Sequence, residues 1–132
     1  DDHEYSKEDV DLLMNSLVYS DVVINTISTL SIDAAAVDKP VINIRFDADP
    51  ECPREFSATL FPKGHDHYEM IERTGGVRIA RSMEELIDQI NTYLQTPELD
   101  HEGRAQIVRE QIEFTDGMAG KRIAHYIKNL LF

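Results

Sequence analysis

Short apolar runs alternate with segments of helical periodicity along this chain, and few architectures accept that order. The runs are Asp21-Val-Val-Ile-Asn25, Val41-Ile-Asn-Ile-Arg-Phe46 and Val77-Arg-Ile-Ala80. The first is continuously apolar between polar ends, as expected of a strand covered on both faces. Helical segments flank and separate them. Ser6 and Asp9 form a capping box with Asp in place of the usual Glu or Gln, ahead of a stripe of Val10, Leu13, Met14, Leu17 and Val18 expected to be buried. A helix over residues 29–37 is stopped by Asp38-Lys39-Pro40. A short one over 67–73 ends at Gly75-Gly76. Ser82 and Glu85 make a second capping box, opening a helix with Met83, Leu86, Ile87, Ile90 and Leu94 on one face. Two further helices are predicted over residues 101–114 and 117–131, the last capped by Asp116, with Ile123, Ile127 and Leu131 opposite a solvated face of Lys121, Arg122 and Lys128. The order α-β-α-β-α-β-α-α-α implies parallel strands joined by right-handed crossovers. The expected fold is α/β: a three-layer, Rossmann-like arrangement with a short parallel sheet flanked by helices.

At 132 residues the chain has the size of one domain. Its formal net charge of −12 argues against nucleic acid and anionic membrane as partners. Much of that charge crowds the start, where Asp1, Asp2, Glu4, Glu8, Asp9 and Asp11 read as a solvated leader and first helical turn. No apolar run approaches the roughly 20 residues that span a bilayer. Cys52 is the only cysteine, which excludes an internal disulfide and suits a cytoplasmic setting; it reads as a free thiol without a catalytic role.

In an open parallel sheet, ligands bind beyond the carboxyl ends of the strands. Three rims qualify: residues 25–29, 45–47 and 80–82. The first is the most informative. Thr26, Ser28 and Thr29 supply three hydroxyls where a helix N-terminus presents unpaired N–H groups, a setting that accepts a diphosphate without lysine. Asp33 lies four residues past Thr29, roughly 6 Å along the same helix face, about the reach from a nucleotide's phosphates to its ribose. Spacing alone leaves a second account open, in which Ser28 or Thr29 caps the helix and Asp33 is solvated.

The segment from Ser20 to Ile44, SDVVINTISTLSIDAAAVDKPVINI, resembles part of the C-terminal domain of GT-B-fold transferases, and most of all CDP-glycerol glycerophosphotransferases and related surface-polysaccharide glycosyltransferases. In these a strand of the form D-V-V-I leads into a Ser-Ser or Ser-Thr turn, an acidic residue follows four positions later, and then K-P-V-I. Ser28, Thr29, Asp33, Lys39 and Pro40 match. The stretch DGMAGKRIA, from Asp116 to Ala124, is similar to their D-G-x-A-x-x-R-I closing helix. The resemblance covers the chain from about Ser20 to Leu131. It implies that Ser28 and Thr29 hold donor phosphates and Asp33 the ribose of a CDP- or UDP-linked donor; no cofactor and no metal are expected. It also implies a parent enzyme acting peripherally at the inner face of the membrane, a preceding acceptor domain absent here, and hence a partial domain inactive by itself. Retaining sugar transferases of this fold often carry two glutamates eight residues apart in this region. Asn25 and Asp33 stand at those places, which argues against that subclass.

Weaker candidates surround this core. Arg45 could contact phosphate, or pair with Asp47 or Asp49. His67, followed by Tyr68 at a helix start beside the long stretch 47–66, could also reach a donor phosphate, as a His-Tyr pair does in similar transferases. Gly64-His-Asp-His67 lacks a patterned third ligand for a metal. Two other functions stay open: half of a nucleotide-sugar epimerase, and a non-enzymatic α/β interaction module. A receiver is disfavoured, because Asn25-Thr26 offers no acidic pair at the first strand's end. If the strand at 21–25 lies at a sheet edge, the absence of charge or proline within Val22, Val23 and Ile24 predicts a homodimer paired through it.

Overall fold

The computed structural model describes residues 6–26, 28–49, 51–59 and 66–131. It is α/β, with a three-stranded parallel sheet between helices, the Rossmann-like layout expected from the alternation. The strands are β1 (Val23–Asn25), β2 (Val41–Ile44) and β3 (Arg78–Ala80), in the order β1-β2-β3. Val23 aligns with Val41, and Ile42 with Arg78. Among the described residues the α-helices are α1 (Lys7–Tyr19), α2 (Leu30–Ala36), α3 (Asp66–Arg73), α4 (Met83–Gln95), α5 (His101–Gln111) and α6 (Ala119–Leu131), with one 3-10 turn at Arg54–Phe56. Asp1, Asp2 and Glu4 of the acidic leader lie outside the described residues.

Alternation along the strands divides the core into two layers. Val23 and Val41 pack with Leu17, Ala34, Ala35, Ile71 and Ile107 on the side of α2, α3 and α5. Ile42 and Ala80 pack with Leu86 and Tyr93 of α4 on the other side. Gly76 and Gly103 let α5 meet the approach to β3 backbone to backbone: a Cβ on Gly103 would fall 2.3 Å from the Gly76 nitrogen. No helix among the described residues is long and apolar enough to cross a membrane.

Several predicted faces are corrected. The Ser6–Asp9 box forms, with Ser6 Oγ accepting from the Asp9 N–H at 3.1 Å and Asp9 Oδ2 from the Ser6 N–H at 3.0 Å. Of the stripe it introduces, only Leu17 is buried; Val10, Leu13, Met14 and Val18 are 41–48% exposed. The reason is that α1 rests on α2, beside the sheet, and only its last turns reach the core. In α4 the buried face is Leu86, half-buried Ile90 and Tyr93, whereas Met83, Ile87 and Leu94 face outward. Only half of the second capping box forms: Ser82 Oγ accepts from the Glu85 N–H, but Glu85 Oε2 accepts from the Arg81 N–H. Helix α5 ends at Gln111, and none of α6 is buried, so Ile123, Ile127 and Leu131 are exposed. Asp116 does not cap α6 directly. A left-handed Gly117 intervenes, and Asp116 accepts from the Met118 N–H while gripping Arg122 through both oxygens, at 2.8 and 2.6 Å.

Candidate functional site

All three strands point their carboxyl ends at one rim, because the sheet is parallel throughout. The turn from β1 into α2 carries the predicted hydroxyls. Ser28 Oγ accepts from the Leu30 N–H at 3.1 Å, so this hydroxyl is partly committed to the helix start. Thr29 occupies the N-cap position in helical conformation, and its side chain makes no capping hydrogen bond. Thr26, Thr29 and Asp33 are exposed. Asp33 sits in the first turn of α2, as the spacing required, and its carboxylate makes no hydrogen bond or ion pair with other described residues. The capping account therefore applies to Ser28 and fails for Thr29.

Beneath this turn runs a buried polar chain that the sequence reading missed. Asn25 Nδ2 donates to Ser31 Oγ at 3.4 Å, and Ser31 Oγ donates to Asn43 Oδ1 at 3.2 Å. Ser31 and Asn43 are 1% and 3% exposed. Asn25 Oδ1 is buried without a partner among the described residues. A signal was present: each of the first two apolar runs contains one asparagine, and the register sets Asn25 opposite Asn43.

Arg45 continues from β2 onto the rim, held by its N–H bond to the Ala80 carbonyl at 2.7 Å. It pairs with neither Asp47 nor Asp49. Its Nη2 donates to Glu72 of α3, because strand alternation turns it toward that helix. Asp47 instead accepts from Ser57 Oγ and the Ala58 N–H, both at 2.7 Å, organising the start of the long irregular stretch. Asp49 Oδ1 accepts from the Glu51 N–H. His67 is exposed in the first turn of α3, its ring 5.6 Å from that of Tyr68. His65 of the metal motif lies outside the described residues, and the described residues bring together no group of three His, Cys, Asp or Glu able to hold a metal. Burial, together with the charges of Asp47, Asp49 and Glu55, raises the pKa of the Cys52 thiol, the opposite of what activates a nucleophile. Two shallow hollows lie away from this rim. One, of about 290 Å³, lies between α3 and α5 at Met70 and Glu110; the other, of about 270 Å³, lies at Asp38, Pro40 and Glu98.

No protein-family model, curated protein or solved structure matches the chain.

Proposed function

We propose that this chain is the donor-nucleotide-binding part of a glycosyltransferase or glycerophosphotransferase acting in cell-surface polysaccharide synthesis. One observation carries most weight: Thr26, Thr29 and Asp33 stand exposed at the carboxyl end of β1, and Thr29, despite its N-cap position, spends no hydroxyl on the cap. A diphosphate there would accept from the Thr26 and Thr29 hydroxyls, since the Leu30, Ser31 and Ile32 N–H groups already bond to Ser28 Oγ and to the Ser28 and Thr29 carbonyls, and Asp33 would accept from the ribose hydroxyls. Arg45 and His67 are the further candidate phosphate contacts. The residue pattern shared with CDP-glycerol glycerophosphotransferases supports the same assignment, and a CDP- or UDP-linked donor follows from it. In this account the acceptor site and the catalytic base lie outside the nucleotide-binding part.

The test is an NMR titration with cytidine diphosphate and with uridine diphosphate. Amides of residues 26–33 are expected to shift first, with a Kd near ~1 mM, about 4 kcal/mol of binding. Silence at millimolar nucleotide, or shifts confined to the surroundings of His67, would remove the assignment. A second function, a non-enzymatic interaction module, is favoured by the apolar surface that α1 and α6 leave uncovered, including Leu12, Val10, Ile123 and Leu130. The same titration separates the two, since such a module has no need of a nucleotide.

A further inference from the structure

Two arginines stand side by side on the carboxyl rim. Ile44 aligns with Ala80 in the parallel register, so the next residues along, Arg45 and Arg81, are cross-strand neighbours. Alternation turns both toward the side of the sheet that α2 and α3 cover. Like charges set opposite one another destabilise a sheet. Burial and the nearby charge of Arg81 both lower the pKa of Arg45. One carboxylate answers these two guanidinium groups. Glu72 takes Nη2 of Arg45, while Nε of Arg45 is buried without a partner among the described residues. Arg81 is exposed and forms no ion pair with a described residue. Glu85 lies close to it but accepts from the Arg81 backbone N–H at 2.8 Å.

We propose that Arg45 and Arg81 together bind a phosphoryl group, and that Glu72 is the internal carboxylate holding Arg45 until that anion arrives. A phosphoryl group offers three acceptor oxygens and up to two negative charges, and so answers both guanidinium forks where Glu72 answers one. Once displaced, Glu72 returns to water, since a quarter of its side chain is already exposed, at 23%. Free phosphate and the diphosphate of a nucleotide share this chemistry. The choice of the nucleotide as carrier rests on the donor-binding function proposed above.

The experiment follows the arginine Nε–Hε resonances of the full chain during titration with inorganic pyrophosphate and, separately, with uridine diphosphate. Both ligands are expected to move the Arg45 and Arg81 signals. Glu72→Gln should tighten pyrophosphate binding about tenfold by freeing Arg45, and Arg81→Gln should weaken it about tenfold. Arg81 is exposed, so its replacement leaves the core intact, and an unchanged amide spectrum elsewhere confirms it. If nucleotide shifts the amides of 26–33 while both arginines stay silent, the arginine site is wrong and the donor site stands. Should pyrophosphate move the arginines while nucleotide leaves 26–33 untouched, the arginine site stands with free phosphate as its ligand. Equal pyrophosphate affinity in the parent and both variants would overturn the proposal outright.

Discussion

The two ends of the sheet are built on opposite terms. At the amino end a cluster of arginines and aspartates closes on itself. Arg104, 1% exposed, donates to Asp38 Oδ1 at 2.8 Å and to the carbonyls of Leu99 and Pro97. The other oxygen of Asp38 meets His101 Nδ1 at 2.9 Å. Beside it Asp100 accepts from Arg78 Nε at 2.6 Å and from the Tyr93 hydroxyl at 2.8 Å, with the Arg78 guanidinium 4.8 Å from the Tyr93 ring centre. Asp38 and Asp100 both hold left-handed backbone to make these contacts. At the carboxyl end, Asn25 Oδ1 and Arg45 Nε are buried and unbonded among the described residues, and Asp33 and Arg81 are unpaired. Buried polar groups are normally satisfied, and each orphan costs about 1–3 kcal/mol. A closed cluster at one end of a small sheet and unbonded polar groups at the other teach that the first secures the fold, while the second leaves groups free for the ligand proposed above.

The largest effect should come from the amino-side contact of α5. Gly103→Ala drives a methyl group into the backbone of Gly76, which cannot rotate away, and should cost about 3 kcal/mol or more. Gly120→Ala in α6 is the control: nothing lies within 4 Å of the new atom, and the change should stabilise by about 0.5–1 kcal/mol through helix propensity. Urea unfolding measures both. Equal effects at the two glycines would mean that α5 does not press on the β3 approach.

Acid should open the amino end first. Burial pushes the Asp38 and Asp100 carboxyls up, but hydrogen bonds from Arg104 and His101 to the first, and from Arg78 and Tyr93 to the second, outweigh it and hold both below the ordinary carboxylate range. A depressed folded pKa stabilises fully above the unfolded value and loses that stability as pH falls through the folded value. Stability should therefore be level from neutrality to about pH 5 and decline below about pH 4. Asp100→Asn should lose roughly 2 kcal/mol at neutral pH and flatten the acid decline. An unchanged acid slope in that variant would detach the cluster from stability.

The weakest predicted effect concerns the edge. β1 lies at one side of the sheet, with Ile24 exposed at 42% and Val23 turned into the core at 7%. Pairing of two copies through β1 should strengthen between about 50 mM and about 500 mM salt, because the −12 charge opposes association. Ile24→Lys should abolish it without disturbing the core. Sedimentation showing a monomer at both salts would leave the edge simply solvated.

What the sequence made legible follows a physical divide. Strand positions, parallel order and the β1–α2 turn were readable because apolar runs, caps and Pro40 are local signals. Helix faces were not. The stripe of α1 and that of α6 have good period, but periodicity states that a face is apolar and not that a neighbour covers it. The amino-end clamp was invisible because Asp38 and Arg104 lie 66 positions apart and look, one at a time, like surface charges. The partner of Arg45 was misjudged for the same reason: Asp47 and Asp49 are near in sequence, yet Glu72 arrives from α3.

The central claim is that the open rim recognises a nucleoside diphosphate through Asp33. Affinities of uridine diphosphate and inorganic pyrophosphate, measured side by side by calorimetry for the parent chain and Asp33→Ala, decide it. A hydrogen bond to a charged group is worth roughly 1.5–3 kcal/mol, so the variant should lose about tenfold or more for the nucleotide and keep its pyrophosphate affinity. Equal losses for both ligands, or no nucleotide binding by the parent chain, would contradict the assignment of this rim.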